Sequence, residues 1–478
     1  LRSLKIFSNL QLIRKGIIDM TIFDKVISGA DVWVENFGLA KTNIYINGEK
    51  ISRITNEIYE ARESIDATGL VAIPGLIDTH SHHRDPGFTD KETIETATRA
   101  AALGGVTVTF AMPNVNPPTA TVLDLENQIA NYSANSIVDW NINPSASNPA
   151  LLERFAELGC AAFKVYMVVD SKRPYPHMPA LGIHDHAHIL QILEASKDIG
   201  CPVMVHPNDQ AIFKLQEQRH FDAGIIDPVG YGKQDWMFDS LAWSSGVATL
   251  VEINHVVKSR LHVCHMLSGR MIEHIRRAKA DGDAVTSEVN AFALFQSDVE
   301  EMGSVGPFAL GRFLKPEWVD ALWVGIEDGT IDVLGTDHAP HTKEEKELGW
   351  KDMWRAPSGT PAMQHYLVML TDALSKGKIT LQNLVEITSL NPAKCFNLYP
   401  KKGVIAEGSD ADIVLVDLKA VQTISNDDVA SKCGWTPYDG LEVKGKIIST
   451  LLRGQFVMRN DSVVANPGNG KMAKPVSI

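Results

Sequence analysis

Two histidines spaced i, i+2 at the end of one apolar run, with four more polar residues each ending a separate run, constrain this 478-residue chain most. His80 and His82 close Ala72-Ile73-Pro74-Gly75-Leu76-Ile77-Asp78-Thr79-His80-Ser81-His82. Side chains two apart in an extended strand share a face, so two such imidazoles can grip one ion. Lys164 follows Cys160-Ala161-Ala162-Phe163, and His206 ends Pro202-Val203-Met204-Val205. His265 ends Leu261-His262-Val263-Cys264, and Asp337 ends Ile331-Asp332-Val333-Leu334-Gly335-Thr336. Polar groups at the C-terminal ends of successive strands are the pattern of a (β/α)8 barrel, whose chemistry sits on that face. The set reads as a metal-dependent hydrolytic site.

Each residue alone has a plainer reading. The chain has 16 histidines, and a given one is more often a surface or hydrogen-bonded core residue than a ligand. Lys164 alone is a salt-bridge lysine, although lysine is rarely buried unpaired. Asp337 alone is a helix cap. Order and location separate the set from coincidence, since each polar group ends a different apolar run.

Between those runs lie amphipathic helices, as βα units require. Ile94, Ala97, Ala101 and Leu103 mark one helix before Gly104-Gly105, and Val106-Thr107-Val108-Thr109-Phe110 is the next strand. Met271, Ile272, Ile275 and Ala278 mark another helix, closed by Asp281-Gly282. The two ends of the chain read differently. Lys25–Gly29, Ala30–Val34, Asn43–Ile46 and Lys50–Ile54 are short β runs, the last two separated by an Asn47-Gly48 turn. Ala411–Val416 and Ile447–Leu452, the latter followed by an Arg453-Gly454 turn, return to that pattern. The expected architecture is α/β: a TIM-type (β/α)8 barrel over residues 73–395, with a small β-sandwich built from residues 20–72 and 396–478. Residues 1–19 begin with Leu and read as an extension outside the folded unit, which starts more naturally at Met20.

Composition narrows the partners. The net charge of −13 disfavours nucleic acid and anionic membrane surfaces, and no apolar run approaches the ~20 residues that span a bilayer. The five cysteines (Cys160, Cys201, Cys264, Cys395, Cys433) are odd in number and contain no CxxC. Buried thiols in a reducing, cytoplasmic setting are expected rather than disulfides.

Three multi-residue motifs, in order, resemble a known family. They are His80-Ser81-His82-His83-Arg84-Asp85-Pro86-Gly87, Ala111-Met112-Pro113-Asn114, and Gly335-Thr336-Asp337-His338-Ala339-Pro340-His341 with Glu344-Glu345-Lys346 following. With Lys432-Cys433-Gly434-Trp435-Thr436-Pro437-Tyr438-Asp439-Gly440, they are similar to the cyclic amidohydrolases of the amidohydrolase superfamily, dihydroorotase above all. The likeness runs from about residue 24 to the C-terminus.

That resemblance implies a binuclear centre. His80, His82 and Asp337 hold one divalent ion and His206 and His265 a second, with Lys164 bridging them as a carbon dioxide-derived carbamate. Zinc suits such a nitrogen-rich set. A bridging water ionises near neutral pH, and Asp337 takes its proton and passes it to the leaving nitrogen as a ring C–N bond opens. Arg84, Asn114 and His341 bind a substrate carboxylate, which a guanidinium fork suits; the plain alternative is an Arg84 ion pair with Asp85 or Asp90 and a turn-capping Asn114. The substrate is a small cyclic amide, imide or ureide, and the chain is expected to be a homodimer or homotetramer.

Departures loosen the substrate assignment. The expected Pro-His-His after the seventh strand is Asn290-Ala291-Phe292-Ala293, preceded by Glu288-Val289. The Asn-Pro-Pro-Leu-Arg loop is Val305-Gly306-Pro307-Phe308-Ala309-Leu310-Gly311-Arg312, without its asparagine. Leu267 stands for a serine, and Val169 for the hydantoinase tyrosine. Trp236, Met237, Phe238 and Trp243 are candidates for a pocket or an oligomer contact, and Ser358–Gln364 for the site entrance. Hydantoinase, dihydropyrimidinase, allantoinase and cyclic-imide hydrolase are the alternatives. A deaminase of the superfamily lacks the bridging lysine, and a non-catalytic scaffold usually lacks metal ligands.

Overall fold

Gly75 divides the first long apolar run between two sheets. Val71–Pro74 pairs antiparallel with Ile413–Thr423 and parallel with Asp31–Val34. Leu76–Ser81 instead opens a parallel sheet. A Cβ at residue 75 would overlap the Thr107 side chain, so the close approach of the two strands needs glycine. The run is therefore two strands rather than one. The computed structural model describes residues 22–169, 172, 179–309 and 311–476; the extension expected at 1–19, and the start at Met20, lie outside the described residues.

Eight parallel strands follow: β1 (Leu76–Ser81), β2 (Val106–Ala111), β3 (Asp139–Ile142), β4 (Phe163–Tyr166), β5 (Val203–His206), β6 (Leu261–Val263), β7 (Val285–Asn290) and β8 (Val333–Gly335). They are short, and β1, β2, β4 and β5 are buried along their whole length, as a sheet covered on both faces requires. β3-β2-β1 and β4 through β8 form two hydrogen-bonded sheets. Two seams close them into a barrel. At one, Lys164 N donates to Pro144 O and Ala146 N to Lys164 O, both at 2.8 Å. At the other, Asp337 N donates to His80 O at 2.8 Å and His82 N to His338 O at 2.7 Å. Both seams run through residues singled out from the sequence.

The helices follow the apolar stripes. Ile94–Leu103 buries Ile94, Ala97, Ala100 and Ala101, and Thr93 and Thr96 form a reciprocal capping box at its start. Gly269–Ala280 buries Met271, Ile272, Ile275 and Ala278, a stripe at helical spacing.

Both chain ends build the β-sandwich. One sheet has Lys50–Thr55, Asn43–Asn47, Phe23–Ser28 and Ala61–Asp66; the other joins Ser462–Val463, Gln455–Arg459, Glu442–Leu452, Ile413–Thr423, Val71–Pro74, Asp31–Val34 and Gly38–Lys41. Ile27, Val32, Ile44, Ile46, Ile413 and Leu451 share the core between them. Ala61–Asp66 escapes a hydrophobicity reading because it lies at the sheet edge, where every second residue faces solvent. Lys402 fastens β3 to the sandwich. Its Nζ lies 2.7 Å from Asp139, 2.9 Å from Asp410 and 2.6 Å from Asp412, so an ammonium occupies the point on which three buried carboxylates converge. Cys160, Cys201, Cys264 and Cys433 are buried, and all five thiols are free. No helix among the described residues is long and apolar enough to cross a membrane.

Candidate active site

Asp337 is the hub of the barrel's C-terminal face. Its carboxylate lies 3.1 Å from His82 Nε2, 3.5 Å from His80 Nε2 and 3.8 Å from His265 Nδ1. The His265 ring lies 4.8 Å from that of His80 and 4.5 Å from that of His206, centroid to centroid. Four histidines in or just after β1, β5 and β6 and an aspartate after β8 thus meet, although up to 257 positions separate them in the chain (80 to 337). Arg84, His265 and Asp337 have φ of 60°, 59° and 50°. Left-handed backbone costs an L-residue about 1–3 kcal/mol and collects at functional sites.

Hydrogen bonds orient three of the imidazoles alike. His80 Nδ1 lies 2.7 Å from Glu288 Oε1, and His82 Nδ1 lies 2.6 Å from Asn114 Oδ1. His265 Nδ1 pairs with Asn290 Oδ1. Each partner is an acceptor, so each Nδ1 carries a hydrogen, and in the neutral ring Nε2 keeps its lone pair. His82 turns that lone pair to Asp337, and His80 Nε2 faces the same carboxylate, where a proton or a metal cation satisfies the facing groups.

For His82 and His265 the charge states agree. Burial pushes His82 down to about 4, outweighing the opposing pull of Asp337. Burial likewise takes His265 down to about 3, so both rings are neutral, as ligands must be. Burial would also lower His80, but the carboxylates of Glu288 and Asp337 raise it to about 10. For Asp337, burial would raise the carboxyl, yet His80 and the other imidazoles hold it well below the usual range.

Lys164 is wholly buried. Its Nζ donates to Cys264 Sγ at 3.4 Å and stands 5.0 Å from the centre of the Tyr166 ring. No carboxylate among the described residues lies within ion-pair distance of it. A lysine in that position is costly unless something neutralises it. His80, His265 and Asp337 each offer an atom within 4.8 Å of the others, the spacing of a cation site. The donor set therefore fits a divalent metal.

A cavity opens over this cluster. His80, His82, His206, His265 and Asp337 lie along its wall, with Arg84 and Asn114 beside them. Tyr166, Trp243 and Phe292 make it partly aromatic, and Ser358 and Gly359 border it, as expected of that segment. His341 does not line it. It is wholly buried behind Arg84, with Nε2 3.2 Å from Arg84 Nη2 and Nδ1 3.3 Å from Lys91 Nζ. Burial, then the Arg84 charge, keep its imidazole well below the usual value. Neither Asp85 nor Asp90 pairs with Arg84; its Nε donates to Pro340 O at 3.2 Å.

Sequence reasoning passed over Glu288 and Asn290 as residues with a part in the site. Glu288 is fully buried, accepts from His80 and also from Thr79 Oγ1 (3.1 Å) and Asn290 Nδ2 (3.0 Å). The available signal was the i, i+2 spacing of Glu288 and Asn290 in β7, two polar side chains on one face of a buried strand end. Arg312 also lines the cavity, from the loop noted only for its missing asparagine.

Known proteins carry the same architecture. Residues 71–457 match the amidohydrolase family. A dihydroorotase of Halobacterium salinarum is 31% identical over 427 residues, covering 89% of this chain and 95% of its own. An L-hydantoinase of Paenarthrobacter aurescens is 26% identical over 458 residues, covering 94% and 98%. Among solved structures, the L-hydantoinase (dihydropyrimidinase) from Arthrobacter aurescens superposes with a TM-score of 0.88 at 26% identity, over 94% of this chain and 99% of its own. With its barrel, sandwich and histidine–aspartate cluster, the chain belongs to the amidohydrolase family.

Proposed function

We propose that this protein is a metal-dependent hydrolase that opens a cyclic amide at a ring C–N bond. The observation that carries the reading is Lys164: a fully buried lysine with no carboxylate partner among the described residues, beside imidazoles whose Nδ1 atoms are held by acceptors. Its neutral amine adds to carbon dioxide and releases a proton, which converts the misplaced cation into an anionic, two-oxygen ligand. His80, His82 and Asp337 would hold one divalent ion and His206 and His265 a second, modified Lys164 would supply a shared anionic ligand, and zinc best matches the donors. Bound cations supply Lewis acidity toward water and the scissile carbonyl.

The chain's own residues do the rest. Asp337 is ionised at neutral pH, so its carboxylate accepts a proton from the attacking water and returns it to the leaving nitrogen. Glu288, Asn114 and Asn290 keep the imidazoles in register by fixing their Nδ1 hydrogens. Arg84 and Asn114 meet the substrate at the cavity wall, and His341 supports Arg84 from behind. A ring bearing a carboxylate, as in the dihydroorotase relatives' substrate, is the first reading. A neutral hydantoin or dihydropyrimidine ring is the second, favoured by Tyr166, Trp243 and Phe292 in the lining.

Metal analysis of purified protein, with turnover of dihydroorotate, hydantoin, dihydrouracil, allantoin and cyclic imides, tests the proposal. We expect about two ions per chain, and we expect Lys164→Ala to lose metal and activity together, with partial rescue by short carboxylic acids. Full activity in metal-free Lys164→Ala refutes it.

A further inference from the structure

Arg312 is built into the cavity by contacts that leave one edge of it unused. Its Nη1 pairs with Asp235 Oδ2, and its guanidinium carbon lies 4.7 Å from the centre of the Trp243 ring. Asp235 is itself buried, and its other oxygen accepts from Trp243 Nε1 at 3.2 Å and Gln216 Nε2 at 3.0 Å. The ion pair and the stacked ring together fix the guanidinium plane. Among the described residues, Nε and Nη2 donate to no protein acceptor, while the side chain lines the cavity at 15% exposure. Arg84 differs: it is 1% exposed, its Nε donates to Pro340 O and its Nη2 faces His341.

The Nε–Nη2 edge of a guanidinium carries two parallel N–H groups, the geometry that a carboxylate accepts in bidentate fashion. A purely structural role, tying the loop before Arg312 to the Gln234–Phe238 turn, accounts for Nη1 but not for an unengaged edge at the cavity wall. Position sets which part of a substrate it meets. Arg312 touches Trp243, whose ring lies 5.0 Å from His206 and 6.2 Å from His265. It therefore stands one side chain beyond the imidazoles, where a ring substituent reaches rather than the amide being cleaved.

We propose that Arg312 is a specificity-determining residue that receives a carboxylate on a short arm, so that the cavity takes acid-bearing cyclic ureides; this rests on the cyclic-amide reading above. The probes are hydantoin-5-acetate and its neutral amide, which share a ring and differ in charge. Their binding is measured calorimetrically on metal-loaded protein carrying Asp337→Asn to slow turnover. The acid is expected to bind at least about tenfold tighter than the amide, since hydrogen bonds to charged groups are the stronger class. Arg312→Met removes that preference, and Arg312→Lys, which keeps the charge without the fork, retains part of it. Equal binding of acid and amide, binding of neither, or a preference surviving in Arg312→Met overturns the proposal. Should Arg312→Met not fold, the acid–amide difference in the parent and in Arg312→Lys decides. Hydrolysis of both probes by the native protein is read separately: its failure counts against the proposed reaction, whereas the binding ratio alone judges Arg312.

Discussion

Replacing Glu288 separates holding a metal from holding the fold. Its Oε1 lies 2.7 Å from His80 Nδ1 and 3.0 Å from Asn290 Nδ2, and its Oε2 lies 3.1 Å from Thr79 Oγ1 and 3.7 Å from His262 Nε2. Glu288→Gln preserves the shape. The amide oxygen still accepts from His80 and Asn290, and the new NH2 meets a hydroxyl and an imidazole, both able to accept. What is lost is charge: a charge-assisted bond worth about 1.5–3 kcal/mol becomes a neutral one worth about 0.5–1.5 kcal/mol. The difference of about 1–1.5 kcal/mol corresponds to roughly tenfold weaker metal binding, the low end of what outer partners of ligating histidines contribute. Unfolding of the metal-free protein should shift by a similar amount, about 1–1.5 kcal/mol, because the same bond to His80 is present without metal. Glu288→Ala instead leaves His80, Asn290 and Thr79 facing a buried void without an acceptor. It should cost about 3–5 kcal/mol of stability, as breaking a buried pair does. Chelator competition measures the first quantity and urea unfolding of stripped protein the second. Native metal affinity in both variants would refute the argument that Glu288 sets the His80 ring for a cation.

Asp337→Asn should retain the barrel, because the seam at that position is made by its backbone N–H. The catalytic rate should still fall by about 10²–10⁴-fold; steady-state kinetics showing most of the rate retained would place the proton transfer on another group. Burial would raise the Glu345 carboxyl, but its His341 and Lys91 partners outweigh it and hold it at about 2. A depressed carboxylate stabilises the fold fully above its unfolded value of 4.5 and loses that contribution as pH falls through about 2. Glu345→Gln should therefore flatten the acid loss of stability across that window, and superimposable acid-unfolding curves would show that the pair contributes nothing.

What the sequence made legible follows from cost. A polar residue within or at the end of an apolar run needs a reason, so His80, His82, Lys164, His206, His265 and Asp337 stand out. The Gly269–Ala280 stripe was readable because helix periodicity is local. Features set by contacts distant in the chain were not. Glu288 meets His80 across 208 positions, and Arg312 meets Asp235 across 77. A lone acid in β7, or a lone arginine in a loop, has no local signature of its partner. The place of His341 behind Arg84 rather than on the cavity wall depends on how two loops stack, which no motif encodes.

The same residues that form the site also close the barrel, and that coupling limits how the site can vary. Asp337 N bonds His80 O, and Lys164 exchanges backbone bonds with Pro144 and Ala146, so both seams pass through proposed ligands. His265 and Asp337 hold left-handed backbone at φ of 59° and 50°. Such a conformation costs about 1–3 kcal/mol and persists only where its surroundings over-determine it. Here the surroundings are the seam hydrogen bonds, the Asn290 and Glu288 acceptors and the packed strand ends. Side-chain changes that keep the backbone, such as Asp337→Asn, are consequently tolerated by the fold and felt by the chemistry. A β-branched residue at 265 or 337 adds steric conflict at Cβ to a backbone already strained. Loss of the ligand and loosening of the seam then occur together.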